Sequence, residues 1–242
     1  MVFATYLILL TYFLIGGIAF WFIGRGQRRA AARSNWTKYV TYFVIIHLLF
    51  GSIVFNPVAF RYLSLVIVAG GLLEMTRLFR RSGYSRPGFF GLSLLLFAPA
   101  CAAFLHFGRL ERDLILFAFM VVSIFDAFSQ ISGQLLGRRR LLPLISPGKT
   151  VEGLAGGALV ALCSALLLQE LTAAGPREAL MLAAGIAFFA FTGDIAASIY
   201  KRTYGVKDFS GVFPGNGGFL DRFDSLIAAA AFVGLLELSG VL

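Results

Sequence analysis

Charge is scarce in this chain, and acid is scarcer than base. Of 242 residues, 14% are charged and 59% apolar, with 12 Asp and Glu against 21 Lys and Arg. Soluble domains are nearer a quarter charged, so the composition excludes a sizeable water-soluble domain and points to a polytopic membrane protein. Cysteine is almost missing. Cys101 and Cys163 are the only two, both lie inside apolar runs, and no metal or redox spacing exists. They read as small buried hydrophobes. Short-period repeats and low-complexity tracts are absent as well. The net charge of +9 invites a nucleic-acid partner, but the basic residues stand in short loops between hydrophobic runs. That is the charge pattern of membrane topology, and no nucleic-acid partner is expected.

Long apolar runs are what the chain has in abundance. A spanning helix needs about 20 apolar residues, and about eight such runs occur, at roughly 2–23, 39–55, 60–79, 88–108, 114–136, 151–171, 179–200 and 221–241. The expected fold is all-α, a polytopic integral membrane protein of about eight transmembrane helices. The first run is too long for a signal-peptide core and has almost no segment before it, so it reads as a retained span. Loops after the odd-numbered spans hold 17 of the 21 Lys and Arg, including Arg25, Arg28, Arg29, Arg33 and Lys38 after the first. This bias sets those loops in the cytoplasm and both termini outside. In the first half, Glu74 interrupts the third run and is spaced to pair with Arg77 at a helix end. His106 falls at the outer end of the fourth, and the 26 Phe read as lipid-facing and packing residues. The chain divides into N-terminal spans, 1–110, and a chemically richer C-terminal region, 111–242.

Four of the five aspartates of the second half fall between Gly193 and Ser225. Polar chemistry this dense between spans is costly and marks function. Asp194, Ser198, Lys201 and Arg202 recur at i, i+4, i+7 and i+8, one stripe of a helix. Lys207 and Asp208 follow, then Pro214-Gly215-Asn216-Gly217-Gly218, which cannot remain helical. A helix restarting near Phe219 sets Asp221 and Asp224 on one face, with Arg222 and Ser225 beside them. Two carboxylates a turn apart can hold a hard cation, and nearby Lys and Arg suit phosphate oxygens. The combination suggests a metal–nucleotide or metal–phosphate site.

A second constellation lies upstream. Asp126 sits inside an apolar run with Ser129 and Gln130 on its face and Gly133 beyond, followed by Arg138, Arg139 and Arg140. Then comes Ser146-Pro147-Gly148-Lys149-Thr150-Val151-Glu152-Gly153. Gly148-Lys149-Thr150 is not a P-loop, because Pro143 stands where that motif needs Gly. Ser146 is placed to cap a helix with Pro147 at its first position, and Lys149 with the helix N–H groups favours an anion.

Ser198 to Asp224 resembles the signature of the phosphatidate cytidylyltransferase family: S-x-x-K-R, four residues, K-D, then P-G-H-G-G-x-x-D-R-x-D. The spacing is intact, with Asn216 where the family has His. Ser146 to Gly153 is similar to the family's S-P-K-K-T-x-E-G, with Gly148 in place of one Lys, and the resemblance extends back to Asp126. It implies the reaction of CTP with phosphatidic acid to give CDP-diacylglycerol and pyrophosphate, at a cytoplasm-facing site in a bacterial inner membrane.

On that resemblance Asp194, Asp221 and Asp224 would hold Mg²⁺. Lys201, Arg202 and Lys207 would bind triphosphate, lipid phosphate or pyrophosphate, and the N–H groups of Gly215, Gly217 and Gly218 would approach phosphate. Arg138 and Lys149 would bind headgroup or nucleotide. Asp126, Ser198 and Asp208 would support them, with Ser146, Thr150, Glu152, Asn216 and Arg222 completing the substrate-binding set. The resemblance is compatible with a monovalent cation such as K⁺ beside Mg²⁺ and with a homodimer among membrane lipids. Three other readings stay open: a CTP-dependent enzyme for another lipid phosphate or polyprenol, a cation transporter, and an inactive paralogue.

Overall fold

The structure, a computed structural model, describes residues 1–25, 29–172, 175–213, 215 and 217–242, without the side chains of 29–35. Eight α-helices occur among them. They are α1 (Val2–Arg25), α2 (Arg29–Phe55), α3 (Pro57–Arg81), α4 (Pro87–Phe107), α5 (Arg112–Leu136), α6 (Val151–Leu167), α7 (Pro176–Thr203) and α8 (Leu220–Leu238). Six of these, α1 to α5 and α7, are long and apolar enough to cross a membrane. The fold is that of an all-α polytopic integral membrane protein. The other two fall short for separate reasons. α6 has only 17 residues, about 25 Å of helix, and α8 carries Asp221, Arg222, Asp224 and Glu237 within 19 residues. Arg28 lies outside the described residues, as do the side chains of Arg29 and Arg33.

Local signals explain where the helices start. Pro57, Pro87 and Pro176 each stand in the first turn of a helix, where the missing N–H is harmless and φ is preset. Asn56 caps α3, its side chain accepting the Ala59 N–H at 3.1 Å. The start of α6 differs from expectation. Ser146 does not cap it, and Pro147 is not in its first turn. Residues Ser146–Thr150 form a strand, β2, paired antiparallel with β1 (Arg140–Leu142). Thr150 caps α6 instead, taking the Gly153 N–H at 3.0 Å. Once the chain hairpins back on Arg140, the strand satisfies the backbone groups that a longer helix would have used.

α5 is the axis of the molecule and packs against α1, α2, α6, α7 and α8. Its residues from Ile115 to Phe125 are buried without interruption, so it needs no polar face until Asp126. Small residues bring its neighbours close. A side chain at Gly157 of α6 would strike the Ser129 hydroxyl and the Phe125 carbonyl. One at Gly193 of α7 would come within 2.7 Å of the Asp224 carbonyl on α8. Close backbone approach of this kind is how membrane helices gain packing without a hydrophobic drive.

The outer faces of the bundle expose large apolar side chains such as Leu14, Leu48, Leu73, Leu95 and Phe188, as lipid contact requires. The Phe residues divide as expected: Phe60, Phe104, Phe107, Phe117 and Phe119 are fully buried, and Phe3, Phe22 and Phe55 face outward. His106 meets Glu237 at 2.7 Å and ties α4 to α8.

Candidate active site

The last turns of α7 and the first turn of α8 converge on one stripe of polar side chains. Asp194, Ser198, Lys201 and Arg202 share the expected face of α7, and all four line a cavity of about 510 Å³. Lys201 is 8% exposed and reaches across to Asp221, also 8% exposed, with Nζ 2.6 Å from Oδ1. The other oxygen of Asp221 accepts the N–H of Phe209 at 2.7 Å and that of Gly218 at 2.8 Å. Asp221 is thus a structural keystone of the segment that leads into α8, and it lines the cavity together with Asp224. The N–H of Gly218 is spent on this carboxylate and does not turn toward phosphate, which corrects the sequence expectation. Gly217 is used for its shape. It takes φ +79°, and its carbonyl accepts the Phe213 N–H at 2.8 Å. Gly215, at φ +72°, does line the cavity. Asn216 lies outside the described residues.

Three further carboxylates gather in the cavity away from its mouth: Asp126 of α5, Asp194 of α7 and Asp224 of α8. They come from three helices and stand within electrostatic range of one another. Such a cluster needs cations close by, and three are present. Lys149 approaches Asp194 at 2.8 Å as an ion pair, without the alignment of a hydrogen bond, and lies 4.6 Å from the Phe191 ring centre. Lys201 acts on Asp224, and Arg222 on Asp126. Ser225 lines the same cavity, and its backbone N–H donates to the Asp224 carboxylate at 2.7 Å. Ser198 is a weak partner of Asp194, at 3.4 Å. Arg222 Nε and Ser129 Oγ are buried at this cavity with no hydrogen-bond partner among the described residues.

The β1–β2 hairpin forms the near rim. Ser146, Lys149 and Thr150 line the cavity. Arg202 locks the hairpin to α7 by donating to the carbonyls of Ile145 at 3.0 Å and Val206 at 2.9 Å. Lys207 and Asp208 are exposed at the mouth. Two expected residues are not brought in. Arg138 and Glu152 do not line the cavity; the Glu152 carboxylate accepts the backbone N–H groups of Arg138 at 3.0 Å and Arg139 at 3.2 Å, which fixes the turn between α5 and β1.

The far wall comes from the N-terminal spans, across the expected division at 110. Leu9, Tyr12 and Phe13 of α1, with Lys38, Tyr39 and Tyr42 of α2, line the same cavity. Tyr42 donates to the Ser123 carbonyl at 3.2 Å. The result is one cavity with a polar half, from α5 to α8, and a largely apolar half against α1 and α2.

Residues 106–238, more than half of the chain, match the profile of the Cytidylyltransferase family. The chain belongs to that family. Relatives in it include proteins named phosphatidate cytidylyltransferase. One from Staphylococcus epidermidis is 40% identical over 124 residues, 50% of this chain and 48% of its own. One from Haemophilus influenzae is 39% identical over 125 residues, 49% of this chain and 43% of its own. One from Bacillus subtilis is 35% identical over 156 residues, covering 62% and 58%. The match thus spans about half the length of these curated relatives. The family segment begins at the end of α4, so it contains the whole polar half of the cavity and none of α1 or α2.

Among the described residues no three acidic, histidine or cysteine side chains stand close enough to be a ready-made metal centre. Asp126, Asp194 and Asp224 nevertheless present oxygen-only donors to the cavity. Mg²⁺ is commonly held by one or two carboxylates together with substrate phosphates rather than by an all-protein cage. The donor set fits that mode.

One residue of the site escaped sequence reasoning. Glu74 does not pair with Arg77, which is exposed. Its carboxylate, 6% exposed, accepts from the Ser210 hydroxyl at 2.5 Å and from the N–H groups of Phe219 and Leu220 at 2.9 Å each. A buried acid inside an apolar run was the available signal. Its partners lie 136 to 146 positions away, and nothing local names them.

Proposed function

We propose that the chain transfers a cytidylyl group from CTP to the phosphate of phosphatidic acid, releasing pyrophosphate and CDP-diacylglycerol. The observation that carries this reading is a single cavity that joins a cluster of three carboxylates and three cations to an apolar wall. A triphosphate needs the first half, and an acyl-bearing phosphate needs both. The names of the S. epidermidis, H. influenzae and B. subtilis relatives support the same substrates.

The chemistry asks little proton transfer of the protein. The lipid phosphate is already ionised at neutral pH. One of its oxygens attacks the α-phosphorus of CTP, a P–O bond forms, the bond to the β-phosphate oxygen breaks in line, and pyrophosphate leaves with the electron pair. No histidine lines the cavity among the described residues, and none is needed. What the site must supply is alignment and charge neutralisation of two anions. Lys149, Lys207 and Arg222 are placed to take phosphate oxygens, while Lys201, bound to Asp221, keeps the α8 start in place. Arg202 fixes the hairpin that carries Lys149. Asp194 and Asp224, with Asp126 behind them, would hold Mg²⁺, which neutralises triphosphate charge when bound. We place the site on the cytoplasmic side of a bacterial inner membrane, and the same reading includes a homodimer and a monovalent cation beside Mg²⁺.

A different lipid phosphate as acceptor is the second reading, favoured by Asn216 at the family's His position. The test is pyrophosphate release by the purified chain in detergent with CTP, Mg²⁺ and phosphatidic acid, run against Asp224→Ala. Release that requires all three and vanishes in the variant is expected. Release only with another lipid phosphate selects the second reading. No release from folded protein with any lipid phosphate sinks both.

A further inference from the structure

Glu74 belongs to α3, outside the family segment 106–238, yet it holds the entry to α8. A helix start leaves several backbone N–H groups without intrahelical partners. Here the residue at the cap, Phe219, makes no side-chain cap of its own. Glu74 does the capping from another helix, with Oε1 accepting from Phe219 N and Ser210 Oγ and Oε2 from Leu220 N. A carboxylate at a helix N-terminus is also favoured by the helix dipole. The fit is tight, since a side chain on Gly218 would run into the Glu74 carboxylate.

Asp221 completes the arrangement from the other side by binding Phe209 N, Gly218 N and Lys201. Two carboxylates thus pin the 209–220 segment. Gly215 faces the cavity within it, and Arg222 and Asp224 enter the cavity within one turn after it. We propose that Glu74 is a positioning residue for the reaction, setting the angle at which α8 delivers Arg222 and Asp224. Ser210 is its partner, and the working site therefore depends on the N-terminal spans. The proposal rests on the cytidylyltransferase reading for its activity arm.

The test compares the full chain in detergent with Glu74→Gln, Glu74→Ala and Ser210→Ala. Two readouts are taken: kcat and KM from pyrophosphate release, and hydrogen–deuterium exchange by mass spectrometry. Glutamine keeps the shape and one acceptor oxygen, so kcat is expected to fall in the order wild type, Glu74→Gln, Glu74→Ala. The expected fall is about tenfold or more for alanine, with KM for phosphatidic acid within about twofold. Exchange in 209–224 is expected to quicken about tenfold in Glu74→Ala, with α4 unchanged. If Glu74→Ala does not fold, Ser210→Ala removes one of the three contacts and must show the same trends in weaker form.

Unchanged exchange in 209–224 overturns the proposal. So does faster exchange there with kcat intact, or an equal rise throughout the chain. An inactive wild type overturns the cytidylyltransferase reading instead, and the exchange data then decide alone whether Glu74 holds the segment.

Discussion

Asp221 and Asp224 stand three residues apart on α8, yet their surroundings give them different work. Asp221 holds a buried ammonium and two backbone N–H groups, all at 2.8 Å or less. Asp224 faces two other carboxylates across an open cavity. Substituting them separates the roles. Asp221→Asn leaves Lys201 buried without its counter-charge, a loss of about 3–5 kcal/mol in comparable pairs. Its thermal unfolding midpoint in detergent should drop clearly, with activity falling as a consequence. Asp224→Asn removes one like charge from a crowded cluster, so the midpoint should hold or rise while kcat falls about 100-fold or more. Equal midpoints for the two variants would refute the assignment of Asp221 as a keystone. From the sequence, spacing alone made the two aspartates look like a matched pair. Which oxygens are already taken is decided by Phe209, Gly218 and Lys201, and only the folded chain shows it.

At the scale of elements, the α7 to α8 region was the legible part. A stripe at i, i+4, i+7 and i+8 and a Pro-Gly cluster were enough to end one helix, start the next near Phe219 and gather the polar face of α7. The α5 to α6 connection was harder. Ser146-Pro147 has the local chemistry of a helix start, but the pairing of Arg140 with Thr150 is a tertiary choice, and it moved the cap to Thr150. Glycine content likewise tells little until neighbours are known. Gly157 and Gly148 look alike in sequence, yet a side chain at Gly157 collides with α5 and one at Gly148 meets open space. Gly157→Leu should therefore separate α5 from α6, displace Asp126 from the cluster, and yield little monodisperse protein on gel filtration. Gly148→Lys, which restores the residue of the family pattern, should fold like wild type. A well-folded, fully active Gly157→Leu would contradict the close α5–α6 approach.

The whole molecule has a polarity that both its charge and its cavity express. The cavity is lined by α1 from Leu9 to Phe20, the middle of α2, the later turns of α5 and α7 and the early turns of α6 and α8, and its polar half lies toward the helix ends that carry most of the Lys and Arg. The positive-inside bias would put those ends in the cytoplasm, where a triphosphate substrate is available. The two properties are independent, since loop charge governs insertion and cavity lining governs chemistry, so their coincidence is testable by one topology experiment. Arg81 ends α3 on the basic side, and Arg109 lies between α4 and α5 on the other; both are exposed. With Cys101 and Cys163 replaced by serine, Arg109→Cys should react with a membrane-impermeant maleimide added to intact bacterial cells. Arg81→Cys should react only after permeabilisation. The reverse pattern would turn the cavity away from the nucleotide supply, and the proposed reaction would then fail for lack of substrate, however well the site is built.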